Sequence, residues 1–175
     1  METHIGLDSQ CLSYLIDAAS GVLEPTDDLA EQRKALIRIW FYDRGRFYIT
    51  ETVASECASI RNVDRRELHE AFSVNSFWGM PVRDSAKVSA RVAELMRKHS
   101  KKRDCKILAE AEDLELDILL SYDEAFVRRL AIASQTIKLM KPKEYWDTLG
   151  IPQGAKPESV PHPTNPLSQQ TWWRV

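Results

Sequence analysis

No stretch of this chain approaches the ~20 apolar residues that a helix needs to cross a bilayer. The first residues, Met1 to Asp8, carry neither a basic segment nor a long apolar one, so no signal peptide is expected. Cysteine is scarce. Cys11, Cys57 and Cys105 are far apart and odd in number. They fit neither a disulfide framework nor a zinc spacing, and they suit a reducing, cytoplasmic location. None has a convincing histidine partner nearby in sequence, which sets aside a cysteine hydrolase; buried cysteine is commonly packing. Gly6 is the only glycine near the first strand, so the chain lacks the G-x-G-x-x-G loop of a dinucleotide-binding domain. Positive charge is not in excess either. Lysine and arginine number 24 against 26 aspartates and glutamates, a net charge of −2. That excludes a protein that coats nucleic acid by bulk charge, but not a local basic patch. No internal repeat is visible.

What is present suits one soluble globular domain. The chain has 175 residues, 43% hydrophobic and 29% charged, enough to bury a real core. His4 to Asp8 reads as a short strand ending in an acid, and Ser9 to Ala19 carries Leu12, Leu15, Ile16 and Ala19 at helical spacing. Asp28 to Asp43 is a second helix, Phe47-Tyr48-Ile49 a buried strand, and Thr50 a cap for a helix running to about Ile60. Arg65 to Phe72 and Ser85 to His99 are further helices, with a turn around Trp78-Gly79-Met80-Pro81. A helix from about Asp104 to Leu114 leads to the apolar run Ile118-Leu119-Leu120. Asp123 to Ala133 is helical, Thr136 to Met140 a strand, and Pro142 starts a last helix through Leu149. Short apolar strands alternating with helices imply a parallel sheet covered on both faces, here with four strands. After Gly150 the composition changes. Residues 151–175 hold Pro152, Pro157, Pro161, Pro163 and Pro166 and end Trp172-Trp173-Arg174-Val175. This Pro-rich tail is expected to be an extended arm anchored by Trp172 and Trp173 on this chain or a neighbour.

Four acids stand where such a sheet gathers chemistry, beyond the carboxyl ends of its strands. Asp8 follows Ile5-Gly6-Leu7, and Asp123 follows Leu119-Leu120-Ser121-Tyr122. Asp104 precedes Ile107, Leu108 and Ala111 at i+3, i+4 and i+7, on the buried stripe of its helix. Glu56 lies three residues after Val53 and four before Ile60, also on an apolar stripe. Glu51 shares its face with Ala54, Ser55 and Ala58. An acid on a stripe meant for burial is costly unless paired or bound to metal. Purely structural roles are open to each: helix caps for Asp8 and Asp123, a helix-dipole contact for Asp104, a pair with an arginine such as Arg61 for Glu56. Together the carboxylates would form a site for Mg²⁺ or Mn²⁺, hard ions that take oxygen ligands and relieve the repulsion among acids. Such ions activate water and orient a phosphodiester. A phosphatase-type site would need a second acid two residues after Asp8, where Gln10 stands.

At these residues the chain resembles the PIN domain family, including the VapC-type toxin ribonucleases. The likeness runs through Ile5-Gly6-Leu7-Asp8-Ser9 and through Tyr48-Ile49-Thr50-Glu51-Thr52-Val53-Ala54-Ser55-Glu56, whose register favours Glu56. It continues in Asp104-Cys105-Lys106-Ile107-Leu108-Ala109-Glu110-Ala111, in Asp117-Ile118-Leu119-Leu120-Ser121-Tyr122-Asp123, and in a closing strand, Pro142 and an aromatic helix. It spans roughly residues 4 to 150, with Asp104 to Phe126 the most specific part. Ala125 stands where many members have a further Asp, and Gln10 where many have Asn. The resemblance implies a three-layer α/β/α sandwich around a parallel sheet of about four to five strands. Residues 1–150 would be the nuclease domain and 151–175 a tail outside the pattern. It also implies metal-dependent hydrolysis of RNA, with Asp8, Glu56, Asp104 and Asp123 as catalytic metal ligands. Ser121 and Ser9 would support them, and Lys102, Arg103 and Lys106 would hold RNA phosphates. Relatives of this kind are often toxins restrained by an antitoxin, and often homodimers. The rival expectation is a PIN-like module that binds RNA or protein without catalysis.

Overall fold

The computed structural model describes residues 2–20 and 23–175. Five strands form one parallel sheet: β1 (His4–Leu7), β2 (Arg46–Ile49), β3 (Trp78–Gly79), β4 (Ile118–Leu120) and β5 (Lys138–Met140), in the order β3-β2-β1-β4-β5. β1 pairs with β2 on one side and β4 on the other, with Leu7 opposite Leu120. The chain therefore builds outward from β1 in one direction, then returns to its other side, which makes the β1/β4 boundary the switch point. The inner strands are apolar runs, not alternating ones. Ile5 and Leu7 in β1 and Ile118, Leu119 and Leu120 in β4 are all buried, as strands covered on both faces must be.

Eight α-helices flank the sheet among the described residues: α1 (Ser9–Ala19), α2 (Ala30–Tyr42), α3 (Glu51–Ala58), α4 (Val63–Ser76), α5 (Ser85–Leu95), α6 (Lys102–Asp113), α7 (Glu124–Leu130) and α8 (Pro142–Thr148). The architecture is the expected α/β/α sandwich. The expected turn at Trp78-Gly79 is instead the edge strand β3, which pairs only Trp78 and Gly79 with Tyr48 and Ile49. Two residues carry no periodicity, so neighbours rather than propensity define this strand. Thr50 caps α3 by accepting from the Val53 N–H. Gly150 adopts a positive φ of 60° just beyond α8, a conformation that glycine takes without strain.

The tail packs on its own chain. A short 3-10 turn (Pro166–Gln169) rests against α1, and Leu167 and Trp173 are fully enclosed in the main hydrophobic cluster. The Trp173 ring lies 4.7 Å from Phe41 and its indole N–H donates to the Leu167 carbonyl at 3.2 Å. Arg38 donates to the Trp172 carbonyl at 3.3 Å, and the Val175 N–H donates to the Tyr42 hydroxyl at 3.2 Å. No helix of the described residues is long and apolar enough to cross a membrane. All three cysteines are free and buried.

Candidate functional site

The register of β1 and β4 decides where the first acids fall. Asp8 and Ser121 are the first residues past paired strand ends, and the Asp8 N–H donates to the Leu120 carbonyl at 3.0 Å. Asp8 also caps α1, accepting from the Cys11 N–H at 2.7 Å, while its other oxygen accepts from the Ser121 hydroxyl. Asp123 caps α7, accepting from the Phe126 N–H at 3.0 Å, and its own N–H donates to the Ser121 hydroxyl at 3.0 Å. Ser121 thus ties two acids together. Both acids play the structural role of a cap while facing the same space.

Two helices bring the other acids to that space. Asp104 sits in the first turn of α6, where negative charge suits the helix dipole, and meets the buried ring of His99 at 2.5 Å through Nε2. Glu56 on α3 accepts from the Ser9 hydroxyl and faces the Arg103 guanidinium at 3.2 Å. Its arginine is Arg103 on α6, not the nearby Arg61. The four carboxylates line one cavity of about 430 Å³, shared with Ser9, Gln10, Lys101, Lys102, Arg103, Ile107 and Phe126. Asp8 is its floor at 5% exposed, whereas Asp104, Glu56 and Asp123 keep side-chain exposures of 18, 22 and 24% nearer the mouth.

Floor and mouth differ electrostatically. Burial pushes the Asp8 carboxyl above its ordinary range, and the hydrogen bonds from Ser121 and the Cys11 N–H offset only part of that. Among the described residues no cation pairs with Asp8. Asp123 moves the other way: burial raises it, but the Lys101 hydrogen bond and the Phe126 N–H outweigh burial and hold it low. The Lys101 ammonium lies 2.6 Å from Asp123 and 3.9 Å from Asp104. Three of the four acids therefore face a cation supplied by the short segment 101–103. The Cys11 thiol beside Asp8 is pushed well up by burial and by that carboxylate, which leaves it inert as a nucleophile.

The other expected residues divide. Ser9, Lys102 and Arg103 line the cavity, and Ser121 lies behind Asp8. Lys106 does not line it. It faces an adjoining recess of about 490 Å³ with Thr52, Ser55 and Ser59, and its ammonium is 3.5 Å from Glu110. Glu56, Lys102 and Arg103 border both spaces. Glu51 points elsewhere and accepts from the Val82 N–H at 3.1 Å. Sequence reasoning missed His99 and Lys101 as individuals, because both sit in a charge run that reads as a solvated face. As donors, four carboxylates suit a hard divalent cation. Among the described residues, however, no three His, Cys, Asp or Glu side chains are spaced to hold one ion. The fit is one of donor chemistry around a common cavity.

No family model matches the chain, and no curated protein matches it. Among solved structures the chain is similar to VapBC2 from Rickettsia felis bound to a DNA fragment from their promoter. The identity is 12% and the TM-score 0.48, over 79% of this chain and 98% of that one. A likeness of that strength carries neither residues nor activity nor partners across.

Proposed function

We propose that this chain is a metal-dependent endoribonuclease that hydrolyses RNA phosphodiester bonds in the cavity beyond β1 and β4. One observation carries the reading: four carboxylates, delivered by four separate elements, line one cavity at the switch point of a parallel sheet. Asp8, Glu56, Asp104 and Asp123 would hold Mg²⁺ or Mn²⁺, which when bound supplies charge neutralisation at the phosphodiester and a more acidic water. The chain's own groups do the rest. Ser121 orients Asp8 and Asp123, Ser9 orients Glu56, and His99 orients Asp104. Lys102 and Arg103 at the rim meet RNA phosphates, and Lys106 meets the strand in the adjoining recess. Ile107 and Phe126 give the cavity an apolar wall that limits water. In this reading the chain is the toxin of a toxin–antitoxin pair and forms a homodimer, which light scattering of the purified protein tests directly.

A second reading has one observation in its favour. Every one of the four carboxylates already has a protein partner, and no three are spaced for one ion. That arrangement suits a module that binds RNA or protein without cutting. The deciding experiment is cleavage of a labelled single-stranded RNA with Mg²⁺ or Mn²⁺ and then with chelator, with Asp104→Asn protein alongside. Metal-dependent cutting that disappears in the variant establishes the nuclease. RNA binding without cutting in the wild type establishes the binding module instead.

A further inference from the structure

Lys101 stands at the N-cap of α6 and makes no side-chain cap. A cation there opposes the helix dipole, so its seat is owed to something other than the helix. That something is a pair of acids. The ammonium is 2.6 Å from Asp123 Oδ2 on the α7 side of the cavity and 3.9 Å from Asp104 Oδ2 on α6. It is thus the cation that bridges two of the four carboxylates. Arg103, by contrast, serves Glu56 alone. The bridging side chain is also loosely held, with 56% of its surface exposed. Exposed pairs of this kind are weak, because solvent screens them and a long side chain loses freedom in making them.

We propose that Lys101 is an exchangeable counter-ion. In the metal-free protein its ammonium neutralises Asp104 and Asp123, a divalent cation entering the cavity displaces it, and it then faces the phosphate of bound RNA. The proposal rests on the ribonuclease reading above. A single ammonium occupies the approach to one oxygen of each acid, so a cation that uses both acids cannot share that place with it. Once displaced, the ammonium stays within the cavity mouth, because its Cα is fixed at the start of α6 beside Lys102. Metal and RNA both favour the state in which Lys101 has left the acids. Each therefore strengthens the other's binding, by the same factor in both directions.

The test is Mn²⁺ binding to the full chain without RNA, read from the paramagnetic resonance signal of free Mn²⁺, with folding checked by circular dichroism. Lys101→Met should bind Mn²⁺ about three- to fivefold tighter than wild type, the release of one partly exposed ion pair. Lys102→Met removes a charge from the same cavity without breaking a pair to an acid, and should shift the affinity by less than about twofold. Equal or weaker binding by Lys101→Met overturns the counter-ion role, as does an equal gain in both variants, which would be a general charge effect. In either case binding by the wild type leaves the metal site standing. If neither wild type nor variants bind Mn²⁺ at millimolar concentration, the metal site itself falls and the counter-ion role with it. As a second readout, a short single-stranded RNA should tighten Mn²⁺ binding more in wild type than in Lys101→Met.

Discussion

Asp104 enters the first turn of α6 and faces a cavity. Glu110, Glu112 and Asp113 leave its last turns and end inside protein. Glu110 is fully buried and accepts from both the N–H and the hydroxyl of Thr52, at 3.0 and 2.8 Å. Glu112 is gripped by Arg91 at 2.7 and 3.2 Å and by the Gln135 N–H at 2.8 Å. Asp113 accepts from the Arg83 N–H at 2.5 Å and the Asp84 N–H at 3.3 Å. Acids at the end of a helix oppose its dipole, so these three depend on their partners. Their partners are backbone groups, the Thr52 hydroxyl and one well-packed arginine, and although the half-exposed Lys106 ammonium also lies 3.5 Å from Glu110, that acid keeps both Thr52 hydrogen bonds without it. Those of Asp104 and Asp123 include an exposed lysine that water and ions can replace. Burial of an acid therefore signals that it is partnered. Whether the partner can be exchanged decides between scaffold and site.

The contrast is sharpest at Arg91. Arg91→Ala strands the Glu112 carboxylate in the interior and should cost about 3–5 kcal/mol of stability, with cleavage per folded molecule unchanged; thermal melts beside the RNA assay check both. At the other end of the helix the effects should trade places. Asp104→Asn should lower cleavage on the order of 10²–10³-fold, about 3–4 kcal/mol in the barrier, while the melting temperature barely moves. A large loss of stability there would make Asp104 one more scaffold acid. Glu110→Gln keeps an acceptor for Thr52 and should cost only about 1–2 kcal/mol, measured by urea titration.

The smallest effect belongs to Asp8, and its sign is diagnostic. Its folded-state pKa is raised above the ordinary 3.8, so ionisation opposes folding. Stability from the protonated carboxyl is complete below that value and is lost as pH rises through the raised pKa. Asp8→Asn, which can still cap α1, should therefore melt slightly higher than wild type near neutral pH in chelator. That advantage should fade as pH falls toward 3.8. Mn²⁺ should reverse the order by stabilising wild type alone.

The sequence made some of this legible and hid the rest for physical reasons. Apolar runs followed at once by Asp8 and, after Ser121 and Tyr122, by Asp123 marked the strand ends, because β1 and β4 are covered on both faces and cannot alternate. The helical phase that set Glu56 apart from Glu51 matches where their side chains point, one to the cavity and one to Val82. The acids at the end of α6 drew no notice, since their partners Thr52, Arg91 and Arg83 come from distant segments. The bridging position of Lys101 was equally hidden, because it depends on where α7 begins relative to α6. The tail showed as an arm, but only the structure shows that Trp173 fits against Phe41.

That last contact sets a schedule for synthesis. A chain growing from its N-terminus presents α1 and α2 well over a hundred residues before Leu167 and Trp173 exist to cover them. The central strand β1 likewise waits for β4, which lies more than a hundred residues further along the chain. A nascent chain of this kind exposes apolar surface until those distant segments emerge, and is a natural client for chaperones. The four-carboxylate cavity, built across β1 and β4, cannot assemble before that late pairing is made.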